Sequence, residues 1–382
     1  MDLSSVIRPG DAIMWGQACA EPQTLVEALV AQRANLGAVG CFLGSSYSGI
    51  VKREHADHLR LASYCGTGTN RALADAGVLE ILPVPYSQLG PLIRDGKIRC
   101  DVLMLQVSPP NARGEYSLGL AADYLVPAID VCRAIVAEVN EQVPWTHTER
   151  LLAKGDFDLL ANSSRPPAMP QVRPPAGLER AIARNAADFV PHGAVLEFGI
   201  GSLPDAVCAE LDRHEGLRVH SGTVGDGVVE LAERKVVTQV DAAMLIGSRL
   251  LFDFAHYNER VRLYSSEYTH NAGVLSRQPS FVAINAAVEV DLTGQVNGEY
   301  AGTSYVGAVG GALDFARAAS QSPGGASIIV IPSARIVERL SAPVSVPRSE
   351  AGVVVTEKGA ADLRGCSLRE RERRMRAISG NS

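Results

Sequence analysis

The 382-residue chain has no apolar run of about 18 residues, the length a membrane-spanning helix needs. No membrane association is expected. Its opening, MDLSSVIRPGD, lacks a charged segment followed by an apolar one, so no secretory signal is expected. The seven cysteines are Cys19, Cys41, Cys65, Cys100, Cys132, Cys208 and Cys366. They are odd in number, dispersed and without CxxC spacing. That pattern predicts reduced thiols and a cytoplasmic location rather than disulfides or zinc. There is no basic stripe: 36 Lys and Arg face 42 Asp and Glu, for a net charge of −6. Nucleic acid is therefore not an expected partner. The most basic stretch, LRERERRMR at 368–376, alternates in sign and reads as a solvated helix. HExxH is absent, His220, His256 and His270 lie far apart, and no metal is expected. GxSxG is also missing.

What is present is an ordinary globular balance, 46% hydrophobic and 20% charged. The length suits two domains. NSSRPPAMPQVRPPAGLE (162–179) holds five prolines, and proline pairs favour extended chain. A linker over 162–177 would then join an N-terminal domain, 1–161, to a C-terminal one, 178–382. The two sides begin alike. Each has a turn glycine (Gly10, Gly193), an apolar strand, a second glycine (Gly16, Gly199), a short loop, a proline (Pro22, Pro204) and an amphipathic run. Proline suits the first helical turn, where its missing N–H has no partner to lose. The match predicts two related α/β domains. Further strands are expected at 101–108, 134–140, 242–247, 281–292 and 326–333, with helical patterns between them. Such alternation implies open parallel sheets, whose ligands bind beyond the carboxyl ends of the strands.

Two glycine motifs stand at such ends. FGIGSLPDAV (198–207) can bring backbone N–H groups and a helix N-terminus to an anion; the plainer alternative is a tight strand-to-helix turn. A dinucleotide reading fails, because Pro204 takes the third-glycine position and LRVHSG ends without an acid for a ribose. GAVGGALDF (307–315) can present N–H groups to a developing oxyanion, or can be a flexible turn. Cys19 and Cys208, near the loops, read as small buried apolar residues.

Taken together these motifs resemble the acetyl-CoA hydrolase/transferase family, close to the 4-hydroxybutyrate and butyrate CoA-transferases. LQVSPPNARGEYSLG (105–119), AEVNEQVP (137–144), FGIGSLPDAV, GDGVVEL (225–231), INAAVEVDLTGQVN (284–297) and VGGALDFARAA (309–319) carry the resemblance in order. It implies two α/β domains of the family I CoA-transferase type and coenzyme A as part of the substrate. It also implies CoA lying between the domains, and a homo-oligomer. Gly199, Ile200, Gly201, Ser202 and Leu203, with Val288 and Gly307, fall on coenzyme-contacting positions, and Gly311 on the oxyanion.

Family transferases use a glutamate that attacks the acyl-CoA thioester and then carries CoA as a glutamyl thioester. Laid on VHSGTVGDG (219–227), that glutamate falls on Gly222. Ser221 and Thr223 are hydroxyls, and the nearest carboxylate is Asp226. The resemblance therefore implies an acyl-CoA-processing enzyme without the glutamyl-CoA nucleophile, one that hydrolyses acyl-CoA or cleaves a CoA-bound acyl chain. His220, Asp226 and Glu299 are the candidate bases; His220 reads equally as packing the loop, and Asp226 as a turn residue. Two alternatives stay open. One is CoA transfer to a small carboxylic acid through a relocated carboxylate. The other is a non-catalytic CoA-binding subunit.

Overall fold

The computed structural model describes residues 1–171 and 173–380. Val172 of the proline-rich segment and the terminal Asn381 and Ser382 lie outside the described residues. The chain divides into two compact units. The first is Met1–Pro170 with Ala243–Glu267 and Ser304–Val306; the second is Gln171–Ala242 with Tyr268–Thr303 and Gly307–Ser382.

In the first unit, strands β1 (Ala12–Trp15), β2 (Val39–Leu43), β3 (Leu59–Ser63), β4 (Leu79–Ile81), β5 (Val102–Val107), β6 (Ala134–Asn140) and β7 (Leu159–Ser163) form a seven-stranded sheet. Its order is β7-β6-β5-β1-β2-β3-β4, and every pairing is parallel. β5 (VLMLQV) and β6 (AIVAEVN) are buried at every position, as strands covered on both faces must be. Helix α1 (Gln23–Gln32) starts at Pro22 and buries Leu25, Val26 and Leu29 in the core with Ile13 and Trp15.

The second unit repeats the theme. Helix α2 (Gly177–Ala187) leads into β8 (Val195–Phe198), α3 (Ser202–Glu210), β9 (Leu217–Val224), α4 (Gly227–Glu233) and β10 (Val237–Leu245), whose residues up to Ala242 belong to this unit. β11 (Phe281–Ala286), α5 (Ala312–Gln321), β12 (Ala326–Val330), β13 (Val353–Thr356), β14 (Gly359–Asp362) and α6 (Leu368–Ile378) follow. The order is β14-β13-β12-β11-β8-β9-β10. Pairing is parallel from β13 through β12, β11 and β8 to β9, and β14 closes the edge antiparallel. The basic tail is helix α6, capped by Ser367, with Glu370 paired to Arg373 and Arg374 while Met375 and Ile378 pack inward.

Both units are thus α/β with an open, largely parallel sheet. In each, the first strand sits inside the sheet: β1 between β5 and β2, β8 between β11 and β9. Chain direction across the sheet reverses there, so the crevice beyond β1 and β8 is where a ligand site is expected. A glycine loop follows each of these two strands, at Gly16 and at Gly199–Gly201. One expectation needs correction. Residues 281–292 do not form one strand: β11 ends at Ala286, and Glu289–Asp291 joins a separate small sheet with Val296–Asn297 and Ile336–Val337. Among the described residues no helix is long and apolar enough to cross a membrane.

Candidate functional site

The site in the second unit gathers at the carboxyl ends of β8, β9 and β11. Alternation fixes which side chains share a face. Val195 pairs with Arg218 on one side and Phe281 on the other. Counting by two, Glu197, His220, Gly222, Ala283 and Asn285 therefore point the same way. Val195, Phe281 and Ala283 pack there against Phe315 of α5 and Leu275, so α5 covers this face. Ser221 points to the other face, where its Oγ donates to the Phe198 carbonyl at 2.9 Å.

Glu197 is buried and accepts a hydrogen bond from Asn285 Nδ2 at 2.7 Å. Burial pushes its carboxyl up to about 8, against which the Asn285 bond works, so it holds its proton at neutral pH. Asn285 also lines a cavity of about 210 Å³ with Ala286, Val296, Gly298, Gly311 and Ser345.

His220 is buried, and both ring nitrogens are engaged. Nε2 lies 3.2 Å from the Thr269 carbonyl and Nδ1 2.8 Å from Gln278 Nε2. A carbonyl only accepts, so Nε2 carries the proton and Nδ1 accepts from the amide. Burial lowers the ring to about 4. His220 thus ties β9 to the 268–278 segment.

His270, on that segment, is buried beside it. Its Nδ1 lies 2.9 Å from Thr269 Oγ1 and its ring 4.6 Å from the Phe315 ring. Burial first, and His220 second, hold it down to about 3. The imidazole sits in a slot made by two glycines. A Cβ on Gly222 would lie 2.9 Å from His270 Nε2; one on Gly311 would lie 2.7 Å from Nε2 and 2.9 Å from Phe315. Real Cβ atoms do not approach that closely, so these glycines and this ring fit only together.

The other sequence-selected residues lie elsewhere in the same unit. Asp226 precedes α4, and its charge pushes Asp205 in the same upward direction as burial does. Glu299 is buried, and its Oε1 accepts from Ser345 Oγ at 2.7 Å, placing it beside the cavity residues Ser345 and Gly298. Gly307 is held close, its N–H donating to Glu299 O at 3.0 Å; a Cβ there would meet Gly298 O at 1.9 Å. Val288 N–H donates to Asn297 O at 2.9 Å. The loop Gly199–Leu203 is open: a Cβ on Gly199 or Gly201 would meet nothing within 4 Å. Gly201, at φ +111°, caps α3, whose first turn contains Ser202, Leu203 and Pro204. His220 and His270 are brought together through Thr269.

Sequence reasoning passed over Glu197 and His270. Glu197 did leave a signal, a lone acid at the end of the apolar strand AVLEFG just before the glycine loop. His270 left none, since only folding carries it to Gly222.

Comparison with known proteins agrees with this architecture. The acetyl-CoA hydrolase/transferase N-terminal domain model matches residues 1–153 and the C-terminal domain model residues 247–381. The chain is 33% identical to the 4-hydroxybutyrate coenzyme A transferase of Clostridium kluyveri, over 97% of this chain and 91% of that protein. It is 27% identical to the acetyl-CoA hydrolase of Kluyveromyces lactis, over 52% of this chain and 42% of that one. The crystal structure of RipA from Yersinia pestis superposes with a TM-score of 0.93 at 29% identity, covering 99% of this chain and 92% of that one. The chain belongs to the acetyl-CoA hydrolase/transferase family, and its fold is that of the CoA-transferases.

Proposed function

We propose that this protein processes acyl-CoA without a glutamyl-CoA intermediate, either releasing CoA by thioester hydrolysis or cleaving the bound acyl chain to leave a shortened acyl-CoA. The carrying observation is the slot at Gly222. Where family transferases are expected to hold their glutamate, this chain has no side chain, and the His270 ring fills the space a Cβ would need. Gly199–Leu203, Val288 and Gly307 are the proposed coenzyme contacts. Gly311, at the start of α5, is the proposed oxyanion position, where a backbone N–H offsets charge that develops only in the transition state. CoA is the substrate's carrier. The family contains both transferases and hydrolases, which supports this reading.

One observation favours a second reading. Glu197 lies on the strand next to the one carrying Gly222, and its carboxyl accepts a hydrogen bond from Asn285, which lines the cavity. It is the candidate for a relocated carboxylate that would pass CoA to a small carboxylic acid.

Purified protein incubated with acetyl-, butyryl- and 3-oxobutyryl-CoA, with and without acetate, separates the two by mass spectrometry. Hydrolysis predicts free CoA independent of acetate and no covalent adduct. Acetate-dependent CoA exchange with a protein–CoA adduct, lost in Glu197→Gln, would instead establish transfer.

A further inference from the structure

The cavity beside Gly311 has walls whose chemistry specifies an occupant. Its volume of about 210 Å³ is bounded by the second unit alone, at the end of β11, the start of α5, β12 and the chain at 345–346. Val296, Val309, Ala312, Ile329 and Val346 give it an apolar lining. Val296, Ile329 and Val346 belong to one packed core with Ala312 against it, so these walls are fixed rather than yielding.

Two lining side chains are polar, Asn285 and Ser345, and each is hydrogen-bonded to a carboxyl. Asn285 Nδ2 donates to Glu197 at 2.7 Å, and Ser345 Oγ donates to Glu299 at 2.7 Å. Ser345 Oγ also accepts the Gly298 N–H at 2.9 Å, so its one proton is already spent. Among the described residues no Lys, Arg or His lines the cavity.

We propose that this cavity receives the acyl chain, and that the substrate carries a short, uncharged acyl group of about four to six carbons. The inference rests on the acyl-CoA reading above, with the thioester carbonyl at Gly311, and names the acyl group. Gly311 forms part of the wall, so a chain attached to a carbonyl there starts beside the cavity. A dry cavity of about 150 Å³ accepts a benzene-sized group, and this one has room for a little more. Each methylene moved from water onto apolar walls is worth about fourfold in affinity. Acetyl leaves most of the space unfilled, and octanoyl overruns it. Succinyl matches butyryl in chain length but brings a carboxylate to walls without a cation, with Glu197 and Glu299 behind them. An unpaired charge placed there costs more than the chain gains.

The test uses the full-length protein. Consumption of acetyl-, butyryl-, hexanoyl-, octanoyl- and succinyl-CoA is followed by mass spectrometry, with and without acetate, and the affinity of each is measured by calorimetry. Butyryl- and hexanoyl-CoA are expected to lead acetyl-CoA by about tenfold or more and succinyl-CoA by about 100-fold. Octanoyl-CoA is expected to fall back below hexanoyl-CoA. Val309→Phe fills the cavity from a half-buried position and is expected to remove the advantage of butyryl over acetyl. Val346→Ala is expected to move the best chain length upward. Free CoA should bind both variants as it binds the wild type, with folding checked by thermal melts. Equal handling of succinyl- and butyryl-CoA overturns the assignment. So does weakened binding of free CoA in Val309→Phe, which would put the coenzyme's own arm in the cavity. Without turnover, the affinities alone decide. Acetate dependence reads the chemistry separately. Acetate-independent CoA release with no chain-length preference overturns this assignment and leaves the hydrolytic reading standing. A strong preference seen only with acetate does the converse.

Discussion

The loop after β1 and the loop after β8 follow strands in equivalent places, yet one is sealed and the other is open. In the first unit, a Cβ on Gly16 would lie 2.4 Å from the Ala20 carbonyl oxygen. Gln17 is buried and fully engaged. Its Nε2 donates to Asp123 at 2.6 Å, and its Oε1 accepts from Tyr64 at 2.8 Å and from the Ser45 N–H at 2.9 Å. The crevice is filled by the protein's own polar groups. In the second unit, Gly199 and Gly201 meet nothing within 4 Å, so the same local pattern leaves room for a ligand. The glycines differ: Gly16 is needed for the chain to close on itself, whereas no neighbouring atom demands a glycine at 199. A strand–glycine–helix motif therefore reports a crevice, and the neighbouring side chains decide whether it is filled.

The sharpest way to break that contrast is Gly16→Ala. The added methyl meets backbone, which cannot swing aside. Overpacking of this kind costs about 2–3 kcal/mol, expected as a fall in Tm of roughly 5–10 °C. An unchanged Tm would mean that the first loop is as yielding as the second.

The buried carboxyls extend the comparison and give a smaller, pH-dependent effect. Asp123, under the sealed loop, is raised by burial only to about 6, because Gln17, Tyr86 and backbone N–H groups bond its charged form. Glu197, before the open loop, has Asn285 alone as an opposing hydrogen bond and reaches about 8. A raised carboxyl binds its proton more tightly folded than unfolded. Its contribution is therefore complete below the unfolded value and is lost as pH rises to the folded one. Asp123 has finished by about pH 6, and above about 6.5 Glu197 is the one of these two still titrating. Stability should fall between pH 6.5 and 8 by up to about 1.4 kcal/mol per pH unit. Glu197→Gln should flatten that slope, and Asp123→Asn should leave it. His220 and His270, depressed to about 4 and 3, act oppositely. They stay neutral folded while the unfolded rings protonate, so their contribution is present above about 6.5 and is lost as pH falls. Denaturant titrations at several pH values would show a maximum near 6.5. A slope unchanged in Glu197→Gln would mean that Glu197 ionises freely in the folded state.

Much of the fold was legible because apolar runs such as VLMLQV and AIVAEVN can only be buried strands, and because glycine and proline mark their ends. The break at 287–288 was not. INAAVEVDL reads as one apolar stretch, but burial does not say in which sheet. Val288 donates to Asn297, and Asp291 Oδ1 receives the N–H groups of Thr293 and Gln295, so a local hairpin takes the second half. The parts of the proposed site that consist of backbone, Gly199–Leu203 and Gly311, could be picked out in the sequence, since glycine spacing is visible in one dimension. The site was illegible where it depends on a long-range encounter. His270 looks like any isolated histidine until β9 and α5 bring Gly222 and Gly311 to either side of its ring.

The smallest effect on stability is the one that most tests the open loop. Gly199→Ala adds a methyl to empty space at a backbone conformation outside the left-handed region, so folding should change by less than about 0.5 kcal/mol. A ligand that approaches the loop's N–H groups would meet that methyl. The expected outcome is a Tm within about 1 °C of wild type and a KM for acyl-CoA raised several-fold, with kcat little altered, as removal of ground-state binding requires. Gly16→Ala should show the reverse pattern, a lower Tm and an unchanged KM in the fraction still folded. An unaltered KM in Gly199→Ala would mean that the open loop is merely unfilled, and that the coenzyme is held elsewhere.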